Sequence, residues 1–163
     1  MIKEIPRLIA NWAVRGPAYC VALMYWPQPW SLFSPMIGVG LESERATWVK
    51  QYPERTKMVL WNPVEFMHNG YVTADSDKDI GDVLDLLDQQ IFLTGRHDFG
   101  MALFDRIVIE LQRFNWSDIL DITSDFVVIV TDSDYEMFDS HLAATVPVPL
   151  LATLRTKGYF ELS

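Results

Sequence analysis

Only one cysteine, Cys20, stands among the 163 residues. An internal disulfide is therefore excluded, and the thiol content suits a reducing compartment. Long apolar runs are also missing. The longest, Ala18 to Trp26, falls far short of the about 20 residues a membrane-spanning helix needs. Clustered positive charge is absent too: 13 Lys and Arg against 22 Asp and Glu leave a net charge of −9, and the bases occur singly or in pairs such as Lys3 with Arg7. A phosphate backbone would be repelled by that field, which argues against nucleic acid as a partner.

The motifs of common chemistries are missing as well. There is no G-x-S-x-G, no P-loop and no G-x-G-x-x-G, because Gly38 and Gly40 have no third glycine at the required spacing. His68, His97 and His141 lie too far apart for a local zinc motif. Asp75, Asp77 and Asp79 alternate like the start of a calcium loop, but glycine at the sixth position and glutamate at the twelfth are replaced by Ile80 and Leu86. No cofactor, metal or catalytic assignment follows. Met1 to Arg15 lacks the basic start, long apolar run and small-residue cleavage site of a secretory signal, so the cytoplasm is the expected location.

What is present is a large core. Half of the residues are hydrophobic, with 6 Trp, 9 Phe and 6 Tyr, a balance that drives folding rather than disorder. No repeat, low-complexity tract or Gly/Ser linker interrupts it, and the length suits one domain over residues 1–163.

Periodicity places the elements. Ile5, Leu8, Ile9, Trp12 and Ala13 share a helix face that Gly16-Pro17 ends. Ala18 to Trp26 reads as a buried strand, and Met36 to Leu41 as a second, with Gly38 and Gly40 on one side inviting close approach of another element. Ser43 can cap a helix from Glu44 to Tyr52, and Met58 to Trp61 reads as a short strand. From Ser76, with Asp77 and Asp79 in the first turn, Ile80, Val83, Leu84, Leu87 and Ile91 repeat at helical spacing and leave Asp82, Asp85, Asp88 and Gln89 outside. A second long helix runs from Asp98 to about Phe114. Phe126 to Val130 is apolar on both faces and reads as the central strand. Tyr135 to Ala144 and a segment from Pro147 to Gly158 supply the last helices. Mixed rather than alternating elements predict an α+β fold, a small mixed or antiparallel sheet of about four strands packed by several helices.

Two groups of residues invite a functional reading. Asp125, Asp132, Asp134, Glu136 and Asp139 bracket the strand at Phe126, where strand ends can hold a base or ligand rigidly, although loop solvation and helix capping account for the same acids. Tyr25 to Phe33 is a proline-stiffened aromatic stretch carrying Trp26, Trp30 and Phe33, close in sequence to Glu42 and Glu44. Rigid aromatic loops bury much area at low entropic cost. Together with Asp82, Asp85 and Asp88, these residues make an expected protein-binding surface. Cys20, enclosed by apolar neighbours, reads as an inert structural thiol.

The segments Gly38-Val39-Gly40-Leu41-Glu42-Ser43-Glu44-Arg45, Trp61-Asn62-Pro63-Val64-Glu65-Phe66 and Thr123-Ser124-Asp125-Phe126-Val127-Val128, with a closing helix before Gly158, resemble a family of small bacterial proteins of unknown function, some associated with toxin-immunity loci. The resemblance covers most of the chain. It implies a cytoplasmic protein that neutralises a toxin by binding it, and it carries no site residues. Acidity and the aromatic stretch suit a basic protein partner such as a toxin. The other reading is a small hydrolase whose Asp and His residues meet only in the folded chain.

Overall fold

The computed structural model describes residues 1–26, 35–67, 71–73, 78–95 and 97–160, with the backbone alone at Asp79, His97 and Asp98. In chain order, its helices are α1 (Glu4–Ala10), α2 (Glu42–Gln51), α3 (Thr56–Leu60), α4 (Lys78–Thr94), α5 (His97–Gln112), α6 (Phe138–Thr145) and α7 (Val148–Thr156). The strands are β1 (Ala18–Tyr25), β2 (Met36–Leu41), β3 (Tyr71–Thr73) and β4 (Ile122–Asp132). They form one mixed sheet in the order β3-β2-β1-β4, antiparallel except for the parallel pair β1 and β4. The architecture is thus the α+β arrangement that the element pattern predicts.

Every residue of β1 and β2 is buried, because helices cover both faces of the sheet. On one side Val21, Leu23, Ile37, Val39, Val128 and Val130 meet Ile5 and Ile9 of α1, Ile80, Leu84 and Ile91 of α4, and Phe104, Val108 and Leu111 of α5. On the other, Cys20, Ala22, Val127 and Ile129 meet Trp48 of α2, Leu60 of α3, Leu142 of α6, Leu154 of α7 and the rings of Trp61, Phe66 and Phe160. The register shifts between Ala18 and Cys20, and both Tyr19 and Cys20 lie in this second core.

The two glycines of β2 face that second core because nothing larger fits. A Cβ at Gly38 would stand 2.8 Å from the Phe66 ring and 2.9 Å from Pro63 Cβ, and one at Gly40 would stand 2.6 Å from the Tyr19 ring. At the far end of the chain, Gly158 adopts φ +74° and the Tyr159 amide returns to the Leu154 carbonyl at 3.1 Å, which closes α7 in a Schellman-type turn.

Three sequence expectations are corrected. Met58 to Trp61 is not a strand. Its first three residues belong to α3, where Thr56, Lys57 and Leu60 are buried at helical spacing, and a short apolar run does not distinguish the two periods. The helix after β2 starts at Glu42 with Leu41 in the N-cap place, and Glu44 rather than Ser43 takes part in capping: its carboxylate accepts the Leu41 N–H at 3.3 Å. The strand containing Phe126 is an edge strand, not the central one. Its two faces are apolar because α5 covers one and α6 with α7 the other. One of its amides is bonded by a side chain, since Gln112 Oε1 accepts the Val128 N–H at 2.7 Å. The three-residue strand Tyr71–Thr73, paired with β2, has no counterpart among the strands expected from periodicity.

Candidate functional site

The long helix α4 carries more apolar side chains than one buried stripe can hold. Ile80, Leu84 and Ile91 fill that stripe. Val83, expected among them, is instead 54% exposed, and Leu86, Phe92 and Leu93 stand 63%, 63% and 74% exposed. Val83, Leu86, Gln90 and Leu93 follow one another at i, i+3, i+7 and i+10, the spacing of a single seam along a helix. At 1.5 Å per residue the seam is about 15 Å long.

Charge flanks this seam on one side. Asp82 and Asp85 are exposed and Asp88 is half-buried. Asp85, Asp88, Gln89 and Phe92 line a depression of about 360 Å³, whereas Leu87, Gln90, Ile91 and Thr94 with Phe99 of α5 line a second of about 190 Å³. The seam is therefore a ridge between an acidic hollow and a largely apolar one. Lys78, the one basic residue of α4, lies 2.6 Å from Asp82 and neutralises the first turn only. Acids and large apolar groups thus share this surface.

The other predicted surface residues belong to other parts of the chain. Trp26 follows β1 and is 38% exposed, while Trp30 and Phe33 lie outside the described residues. Glu42 is partly exposed and pairs with Arg45. Glu44 is only 3% exposed and serves the α2 cap, so it is turned away from any partner.

Two polar assemblies inside the protein escape a reading by local motifs. At the C-terminal end of β1, the Tyr25 hydroxyl lies 2.8 Å from His141 Nε2, and His141 Nδ1 lies 2.6 Å from Asp105 Oδ1. A neutral imidazole fits this chain by donating from Nδ1 to the carboxylate and accepting the tyrosine proton at Nε2. Tyr25 and His141 are each 1% exposed, and the Tyr25 ring stacks on Phe104 at 4.8 Å. Burial, then the charges of Asp132 and Asp105, hold the Tyr25 hydroxyl well above the usual range for a phenol. Both imidazole nitrogens are engaged, so the trio ties β1, α5 and α6 together, and its hydroxyl and ring are closed off from the surface. No local pattern announces it, because the partners are separated by 116 and 36 residues.

The second assembly lies across the sheet. Arg45 forms two hydrogen bonds of 3.0 Å with Asp125, which also accepts from Lys157 at 2.7 Å and from Thr123 at 2.7 Å. The guanidinium sits 4.8 Å from the centre of the Tyr19 ring and 4.7 Å from that of Tyr159. Burial alone would raise the Asp125 pKa, but bonds from Arg45, Lys157 and Thr123 outweigh it and hold the carboxyl well below the usual carboxylate range. Asp132 is also consumed structurally, accepting the amides of Glu136 and Met137 at 2.9 and 3.1 Å, and Asp139 lies 2.9 Å from the buried Lys57. Of the strand-bracketing acids, Asp134 accepts from the Ser133 hydroxyl at 3.4 Å, and Asp134, Glu136 and Asp139 are exposed.

Among the described residues, no group of three or more His, Cys, Asp or Glu is placed to hold a metal ion, and no helix is long and apolar enough to cross a membrane. No family model, curated protein or solved structure matches the chain.

Proposed function

We propose that this protein is a protein-binding module, located in the cytoplasm, that docks a basic protein partner on the outer face of α4. One observation carries the reading: Val83, Leu86, Phe92 and Leu93 stand 54–74% exposed on the helix that also presents Asp82 and Asp85. Full burial of such a side chain is worth about 1.5–3 kcal/mol, and leaving these four largely in water forgoes part of it for each. A partner recovers this on binding, while the acids select for positive charge and speed encounter. The immunity-locus resemblance gives the reading its particular form, a protein that neutralises a toxin by covering it. The hydrolase alternative draws on the Asp105–His141–Tyr25 chain, yet Tyr25 and His141 are each 1% exposed, which leaves a substrate no access to the hydroxyl or the ring.

Site-specific photo-cross-linking in the source cell tests the proposal. A benzophenone amino acid at position 86 or 93 should capture one protein of net positive charge, and the same group at exposed position 148 on α7 should not. If the captured protein arrests growth when expressed alone and co-expression restores it, the neutralising role holds. Capture of nothing, or equal capture at all three positions, would remove the reading.

A further inference from the structure

We infer that the partner element received by α4 is itself an amphipathic helix, apolar on one face and lysine- or arginine-rich along its edges. The inference rests on the protein-binding reading and specifies what that reading leaves open.

The spacing supplies the first argument. Val83, Leu86, Gln90 and Leu93 repeat at alternating steps of three and four residues, so they form a nearly straight ridge along α4. A strand or irregular loop presents side chains at about 3.3 Å intervals on alternating faces and would meet such a ridge only at isolated points. A second helix with the same alternation meets it along the whole length, ridge against groove. The hollows on the two sides of the ridge, about 360 and 190 Å³, supply the grooves. Three turns of partner helix match the about 15 Å seam.

Charge supplies the second. The edge next to the 360 Å³ hollow carries Asp85, Asp88 and Gln89, with the Phe92 ring beside them. A lysine or arginine from the partner's edge can lay its aliphatic stem on Phe92 and bring its charge to the exposed Asp85 carboxylate. The opposite hollow has Leu87, Gln90, Ile91, Thr94 and Phe99 as its described lining, none of them ionisable, and suits an apolar residue. One edge of the partner helix is therefore basic and its seam apolar.

The same charges disfavour a second copy of this chain as the occupant. Pairing α4 with α4 would bring four aspartates from each helix together against one lysine each, on molecules that both carry −9. Like charges at the edges of paired helices oppose association.

A pair of synthetic 21-residue peptides tests the inference. Both carry leucine at the two seam positions of each heptad, and their edge positions hold lysine in one and glutamate in the other. Binding to the full chain is read by fluorescence anisotropy, at peptide concentrations where each is monomeric by sedimentation. The lysine peptide should bind at least about tenfold more tightly than the glutamate peptide, with an affinity that falls as salt rises. The decisive variant is Leu86→Asp with Leu93→Asp. It makes the face more acidic, so attraction by charge alone would strengthen, whereas seating on the apolar seam predicts loss of binding. Circular dichroism and the urea midpoint confirm that the variant is folded, and Leu86→Gln with Leu93→Gln repeats the test with no added charge. Equal binding of both peptides, binding unaffected by the variants, or a homodimer that the variants dissolve would overturn the inference. A photo-cross-linked basic partner that contacts position 86 through a loop or strand would also overturn it, while leaving the protein-binding proposal intact.

Discussion

Asp125 and Asp85 are the same side chain put to opposite uses. Asp125 lies on β4 between two helical layers and is enclosed by Arg45, Lys157 and Thr123, whereas Asp85 points outward from α4 beside the exposed Leu86. The first has its hydrogen-bonding capacity filled by its own chain. The second sits on a surface whose apolar groups the chain does not cover. Net charge alone does not separate the two, yet it is the second kind of acid that remains to meet another molecule.

The largest test of this contrast is Asp125→Ala. It leaves the Arg45 guanidinium buried, still beside Glu42 but stripped of two hydrogen bonds. Loss of one partner of a buried pair costs about 3–5 kcal/mol, read as a shift in the urea midpoint. Asp85→Ala should change it by no more than about 0.5 kcal/mol. Equal effects would break the distinction. Adding Arg45→Met to Asp125→Ala sharpens it, because removal of the stranded cation should recover part of the loss.

Acid pH probes the same pair by another route. The Asp125 carboxyl titrates well below its ordinary range in the folded state, so its folded value lies below its unfolded value of about 3.9. Its contribution is then fully present above the unfolded value and is lost as pH falls through the folded one. Stability should decline from about pH 5 downwards as the unfolded chain takes up a proton that the folded chain resists. Asp125→Asn should have a shallower slope over that window in urea titrations at stepped pH. An unchanged slope would show that the carboxylate is not held by its cationic partners.

Gly38→Ala asks whether the second core is as closely fitted as the α4 face is open. The new Cβ would stand 2.8 Å from the Phe66 ring and 2.9 Å from Pro63. Overpacking of that kind costs about 1–3 kcal/mol. An alanine that leaves the denaturation midpoint in place would mean that Phe66 and Pro63 move aside freely.

Close approach at Gly38 and Gly40 is legible in the sequence because two glycines on one strand face remove the side chains that would hold a neighbouring element away. The strand at Phe126 and the stop at Gly158 are legible too, since each is a local pattern with one economical reading. The position of β4 in the sheet is not. A strand buried on both faces looks central whether neighbouring strands or helices cover it. The burial of Arg45 and Lys57 has no local signal, because Asp125 and Asp139, which bond them, lie 80 and 82 residues away. The Tyr25–His141–Asp105 chain is hidden by the same kind of distance. On α4 the sequence does hold a clue. Spacing alone assigns Val83 to the buried stripe, although Leu86, Phe92 and Leu93 already exceed what a single face can bury.

That excess makes the smallest stability effect the most informative one. Leu86→Gln with Leu93→Gln removes two side chains that are 63% and 74% exposed, so the urea midpoint should move by no more than about 0.5 kcal/mol for each. A large loss would mean that the leucines support the fold and that the contrast between filled interior and open face is misplaced. An unchanged midpoint leaves α4 docked by Ile80, Leu84 and Ile91, with the outer leucines dispensable to the isolated protein. Partner capture at position 83, read by the same photo-cross-linking chemistry, should then fall at least about tenfold in the double variant. Such a split between stability and binding separates residues retained for a partner from residues retained for the fold.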